Sequence, residues 1–411
     1  MPFDFETVID RRGTASIKHD SVARNGYAED TLAMWIADMD YRVAPCITEA
    51  LEQKNAHGIF GYSFPTDAYF EAVRNWFGTR FGWPIQQDWI QFSPGVVFAL
   101  AVAIRALTEP GDAVLVTPPV YYPFYMTVQN NNRTLVESQL LYENGHYAID
   151  FADFEEKIIQ NNVKVFILCS PHNPVCRVWT KEELARVGEI CLRHGVKVIA
   201  DEIHCDFTWP GITHTPFPLA CPEMAEHTIV CTAPSKSFNL AGLQTSNIII
   251  PGQALREAWQ KEMTGLHFHA PNSLGLIACQ AAYEKGAAWL DECIAYMHGN
   301  LCYMRQFLAE NIPQIKLVEP EGTYFAWLEC SGLGLSKEKL DELFLEKARI
   351  WLDTGSMFGD CAAQFQRVVL ACSRKVVEEA LNRLQAAVAE LKITGSKRGC
   401  CKIQKTLQQN P

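Results

Sequence analysis

"TKEELARVGEICLRHGVKVIADEIH", residues 180–204, reads as a helix that hands directly to a buried strand. Thr180 stands where an N-cap belongs and Glu183 follows three residues later, the capping-box pattern, so the spacing predicts a helix opening at Lys181. Gly195 punctuates its end, and "VKVIA" (196–200) follows as a short, nearly apolar run suited to a strand covered on both faces. Runs of the same kind lie at "AVLV" (113–116), "VKVFILC" (163–169), "TIVCT" (228–232) and "NIIIP" (247–251). Strand, helix, strand in this order predicts an α/β fold whose mostly parallel central sheet carries helices on both faces.

Beyond about residue 285 the pattern changes. "AWLDECIAYMHGNLCYMRQFLAENI" has the length of a long helix, "GTYFAWLEC" and "FQRVVLACS" read as strands, and "KVVEEALNRLQAAVAELK" as a closing helix. The expected division is a large domain over 46–285 and a smaller α+β domain built from 1–45 and 286–392. Residues 393–411, basic and without acids, read as a disordered tail, and Cys400 and Cys401 do not stand at a prenylation position.

Composition narrows the class. With 411 residues, 48% of them hydrophobic and 20% charged, the chain reads as a soluble globular protein with a large core. A net charge of −11 argues against a nucleic-acid partner, which needs clustered Lys and Arg. No apolar run approaches the ~20 residues that cross a bilayer, and the acidic start "MPFDFETVIDRRGT" has no secretory h-region. The fifteen cysteines are scattered without a CxxC pair, so they read as small buried hydrophobes in a reducing cytoplasm, with no disulfide framework and no metal site.

Polar residues follow three successive predicted strands: Asn173 in "SPHNP", Asp201 and His204 in "ADEIH", and Lys236 in "APSKSF". Lys236 is the sole charge from Thr232 through Thr245. Singly, these read as a turn, a cap, a core histidine and a loop lysine. Carboxyl ends of parallel strands share one edge, however, where ligands bind, so the four are expected to converge. An acid and an amine sharing a partly buried pocket perturb each other's pKa, as catalytic groups require.

Asn173, Asp201 and Lys236, in that order and spacing, resemble the signature of fold-type I pyridoxal-phosphate (PLP) enzymes, the class I/II aminotransferase superfamily. "MWIADMDY", "GIFGYSFPTDAYFEAV", "SPGVV", "TPPVYYPF", "DEIHCDF", "APSKSFNLAGLQ" and "EGTYFAWLE" are similar to its MalY/PatB branch of cystathionine β-lyase-like enzymes, over about residues 1–392. The resemblance implies the aspartate aminotransferase fold and a role for each matching residue. Lys236 would hold PLP covalently and serve as proton-transfer base. Asp201 would pair with the pyridinium nitrogen, Asn173 and His204 would bond the phenolic oxygen, and Tyr121, with Tyr122 as rival, would stack on the ring. The amides of Val96 and Val97, at a helix start, and the hydroxyl of Ser235 would bind the phosphate. Tyr62 would reach the phosphate of a neighbouring subunit in a homodimer. Arg367 would grip the substrate carboxylate, assisted by the Ala37 backbone.

Two departures from the superfamily pattern stand out. Val175 and Cys176 replace the usual Thr-Gly after "HNP", and Gln244 occupies the position, eight after the lysine, where transaminases often carry arginine. "HFH", with His267 and His269, lacks a third nearby ligand and reads as a loop near the site. The expected activity is a carbon–sulfur β-lyase that releases thiol, pyruvate and ammonia from a sulfur amino acid. The alternatives are an aminotransferase and, from another class, a regulatory protein-binding role on the same scaffold.

Overall fold

The buried runs become the strands of one seven-stranded sheet in the computed structural model, which describes residues 2–268 and 270–405 apart from the side chains of 392–405. The strands are β1 (Ile90–Ser93), β2 (Ala113–Val116), β3 (Thr134–Glu137), β4 (Val165–Cys169), β5 (Lys197–Asp201), β6 (Thr228–Thr232) and β7 (Ser246–Ile249), in the order β1-β7-β6-β5-β4-β2-β3. β7 runs antiparallel to both β1 and β6; every other pairing is parallel. Two reversals restore direction, so the carboxyl end of β1 meets the same edge as those of β4, β5 and β6. Five of these strands carry an apolar run in the sequence; the short β1 and β3 do not, since Gln91, Thr134 and Glu137 interrupt them.

Alternate residues of β4 show why the sheet is covered twice. Val165, Ile167 and Cys169 pack with Ala99, Leu100 and Ala103 of the helix Val96–Leu107, whereas Phe166 and Leu168 join Leu184 and Val187 of the helix Lys181–Arg193. The second helix begins as its sequence predicts: Thr180 Oγ1 accepts from the Glu183 amide and the Glu183 carboxylate accepts from the Thr180 amide.

A second, antiparallel sheet carries Lys316–Val318, Phe325–Glu329, Phe365–Val369 and Asp353–Thr354 in that order. The N-terminal segment joins it. Leu32–Ala33 pairs in parallel with Ile350–Trp351, the Val369 amide donates to Met34 O at 3.0 Å, and Tyr41 donates to Cys372 O at 2.6 Å. The closing helix Arg374–Lys405 runs into the stretch 393–411 expected as a basic tail, whose side chains and last six residues lie outside the described residues. His269 also lies outside them. The described cysteines are all free and most are buried. Among the described residues no helix is long and apolar enough to cross a membrane.

Candidate active site

Lys236 stands on the single-turn helix Pro234–Ser237 directly after β6, Asp201 is the last residue of β5, and Asn173 and His204 follow β4 and β5. Tyr121 lies in the loop after β2 and the helix Val96–Leu107 opens just past β1. Strand register sets the spacing, because Asp201 lies opposite Cys169 on one side and Cys231 on the other. Together with Ala37, Val96, Val97, Ser235 and Gln244, these side chains line one pocket of about 740 Å³.

The Lys236 amine donates to Ala37 O at 2.6 Å and pairs with no carboxylate among the described residues. Burial holds its pKa down to about 8; the Arg367 charge adds to this, while Asp38 and Asp201 act against it. Asp201 is 5% exposed, and its carboxylate accepts a single hydrogen bond, from the Ile203 amide at 3.2 Å. Burial pushes it up to about 7, with that bond and the Lys236 charge offsetting part of the penalty. The two groups therefore titrate close together, near neutral pH.

His204 is buried edge-on to Tyr324 and Phe325, with ring centroids 5.5 and 5.2 Å away, and its Nδ1 has no partner among the described residues. Burial, then the charges of Lys236 and Arg367, hold it well below the usual histidine range, so the ring is neutral. Asn173 Oδ1 accepts from Arg367 Nη1 at 2.9 Å, which leaves the amide nitrogen as a donor. Tyr121 lines the pocket; Tyr122 turns to Phe358 instead, 6.0 Å away. Gly95 caps the helix Val96–Leu107 without a side-chain bond, so its first amides have no partner within the helix and the positive dipole end faces the pocket.

Arg367 stands apart from the pocket lining. It is 2% exposed, lies over Phe325 and Phe358 at 4.4 and 4.9 Å, and bonds the Asp353 carboxylate and Trp35 O. It reaches the site through Asn173, and its Nε has no partner among the described residues. Tyr62 is not brought to this chain's own pocket: it is 104% exposed on the irregular segment 58–66, beside the exposed Ile59, Phe60 and Phe64. Cys176, where the superfamily usually has glycine, adopts φ 61°, a left-handed conformation costly for a side-chain-bearing residue. Its amide still donates to His172 O at 2.8 Å, which keeps the turn after Asn173 closed.

A family model for aminotransferase class I and II matches residues 30–384. The chain belongs to that family. Cystathionine beta-lyase PatB of Bacillus subtilis is 42% identical over 94% of this chain and 100% of its own length. Protein MalY of Escherichia coli is 33% identical over 94% of this chain and 99% of its own. Among solved structures, cystalysin from Treponema denticola, described as containing a pyridoxal 5'-phosphate cofactor, superposes with a TM-score of 0.92 at 38% identity, covering 95% of this chain and 100% of its own. The MalY/PatB resemblance and the aminotransferase-type α/β fold expected of the sequence both stand.

Several residues of the site escape a reading of sequence alone. Tyr324 donates to Ala37 O at 3.1 Å, sharing the carbonyl that Lys236 uses. Asp353 neutralises Arg367, Asp38 bears on the Lys236 charge, and Thr245 and Ser246 add hydroxyls to the pocket beside Gln244. Tyr324 lies within the "GTYFAWLE" run, but nothing in that apolar pattern singles out one hydroxyl.

Proposed function

We propose that the chain is a PLP-dependent carbon–sulfur β-lyase that cleaves cystathionine, cysteine or related S-substituted cysteines to a thiol, pyruvate and ammonia. What supports this most is the whole-length similarity to cystathionine beta-lyase PatB, joined to a pocket whose unfilled bonding capacity matches PLP group by group.

That match can be tested on the residues present. A phosphate suits an uncapped helix start at Val96 and Val97 with the Ser235 hydroxyl nearby. A ring nitrogen bearing a proton suits Asp201, a buried carboxylate with one backbone bond. A phenolic oxygen suits the amide of Asn173 and the orphaned imidazole of His204, and an aromatic ring suits Tyr121. An aldehyde suits Lys236, an amine depressed to about 8. The residues fit.

When bound, PLP supplies a cationic aromatic ring that draws electron density from the substrate's Cα. The protein does the rest. Arg367, assisted by the Ala37 backbone, holds the α-carboxylate, and the phenyl rings of Phe325 and Phe358 fix the guanidinium plane. Lys236 removes the Cα proton, for which an amine titrating near pH 8 is well placed. The Cβ–S bond then breaks, the sulfur leaves as thiolate, and water completes release of pyruvate and ammonia. Gln244 in place of a cation leaves the phosphate to amides, hydroxyls and the helix dipole.

The working unit in this reading is a cytoplasmic homodimer in which Tyr62 enters the partner's site, and the exposed apolar segment 58–66 suits such burial. The large domain spans 46–285, with 1–45 and 286–392 forming the small one. The decisive experiment is to give purified protein L-cystathionine without any 2-oxo acid. Thiol and pyruvate should appear in equal amounts over many turnovers. Turnover seen solely with an added amino acceptor would instead make the enzyme an aminotransferase. Mixing Tyr62→Phe and Lys236→Ala chains tests the shared site, since hybrid dimers carry one intact site and should regain activity.

A further inference from the structure

We infer that Asn239 is a positioning residue that sets the reach of Lys236 and Arg367 by gripping the backbone strap 35–41, a role that rests on the lyase site proposed above. The strap is irregular, so no ladder of its own fixes it. Two of its carbonyls are nevertheless taken by the two functional cations. Trp35 O accepts from Arg367 Nη2 at 2.9 Å, and Ala37 O accepts from Lys236 Nζ at 2.6 Å. A small displacement of this segment shifts both cations relative to each other.

Besides Lys236 itself, the side chain of Asn239 ties the strap to the lysine loop. Asn239 Oδ1 accepts from the Met39 amide at 3.0 Å, while Nδ2 donates to Met39 O at 2.9 Å and Tyr41 O at 3.1 Å. All three bonds go to backbone. Asn239 comes three residues after Lys236, so the grip and the amine belong to one short loop. Its φ of 57° is a conformation that asparagine tolerates better than most residues. The strap's other ties lead elsewhere. Arg11 and Lys18 bind Asp38 and Asp40 within the N-terminal segment, and Tyr41 and Tyr324 join the strap to the small-sheet side. Without Asn239 the strap therefore stays attached to the Arg367 side and keeps, among the described residues, only the Lys236–Ala37 hydrogen bond to the Lys236 loop.

Two variants separate the grip from mere folding. Asn239→Gly keeps the positive φ and removes the side chain. Asn239→Asp keeps the shape and the acceptor but loses both donors, and sets a carboxylate against two carbonyls. In the full-length holoenzyme, amide hydrogen exchange over 35–41 should quicken about tenfold or more in both, as three modest hydrogen bonds are lost or opposed. Lys236 in cofactor-free protein should change its rate of reductive methylation. Thiol release should fall by ~100-fold in kcat/KM, with KM rising as well as kcat falling because the strap, still joined to Arg367, shifts relative to Lys236. Wild-type exchange over 35–41, or faster exchange with unaltered kcat/KM, would overturn the assignment. Should Asn239→Gly fail to fold, Asn239→Asp decides alone. A wild type that releases no thiol would sink the lyase reading, while exchange and methylation would still test the grip.

Discussion

Asp201 and Glu202 are consecutive carboxylates, both almost fully buried, with opposite surroundings. Both oxygens of Glu202 are engaged: His214 Nε2 lies 3.1 Å from one, and the Phe217 amide donates to the other at 2.7 Å. Asp201 turns to the pocket, accepts one backbone bond, and is pushed up to about 7 by burial. Successive residues at a strand end point to opposite sides, so one acid knits the scaffold while its neighbour faces the ligand space. Burying an incompletely paired carboxylate destabilises a fold. Its presence makes sense when a cationic ligand completes the pair.

The largest effect tests the centre of the pocket. Lys236→Ala should lower thiol release by about 10⁴-fold or more, with loss of the cofactor's absorbance at the wild-type wavelength. Next, Asp201→Asn should cut kcat by ~10²–10³-fold with the fold intact. Glu202→Gln should leave kcat per folded molecule within a few-fold and lower unfolding free energy by ~2–4 kcal/mol, read from denaturant titration. Equal losses of kcat in both variants would erase the contrast between the two acids. Arg367→Lys should cost ~10–100-fold in kcat/KM, chiefly through KM, because an ammonium cannot replace a planar fork held between two rings.

The smallest effect is a pH profile of the cofactor-free protein. Asp201 is raised from 3.8 to about 7, so between these values the folded chain holds a proton that the unfolded chain has released, and stability falls as pH rises. Lys236 is lowered from 10.5 to about 8, so between 8 and 10.5 the unfolded chain holds the extra proton and stability rises with pH. These two groups alone place a minimum near pH 7–8. Asp201→Asn should remove the acid limb and leave the alkaline one, as followed by thermal unfolding across pH.

The sheet and its convergent edge were legible because parallel strands advertise themselves as apolar runs and their carboxyl ends meet by topology. Lys236, Asp201, Asn173 and His204 follow from that rule, Tyr121 from the family resemblance, and all five share one pocket. Less was legible where partners come from far along the chain. Nothing local to Arg367 announces Asp353 or Trp35, and nothing near Asn239 announces a bond to Met39, 200 residues earlier. Tyr62 shows the opposite limit: its own chain leaves it fully exposed, and its role in the proposed dimer depends on a second subunit.

The contrast between the two acids can be read most directly from the cofactor-free protein at pH 7.5, by comparing thermal unfolding of wild type, Asp201→Asn and Glu202→Gln. Relief of an under-paired buried charge should raise the melting temperature of Asp201→Asn by ~2 °C or more, while Glu202→Gln melts lower. If Asp201→Asn instead melts lower, as Glu202→Gln does, then Asp201 is a structural acid and is not held in reserve for a cationic ligand.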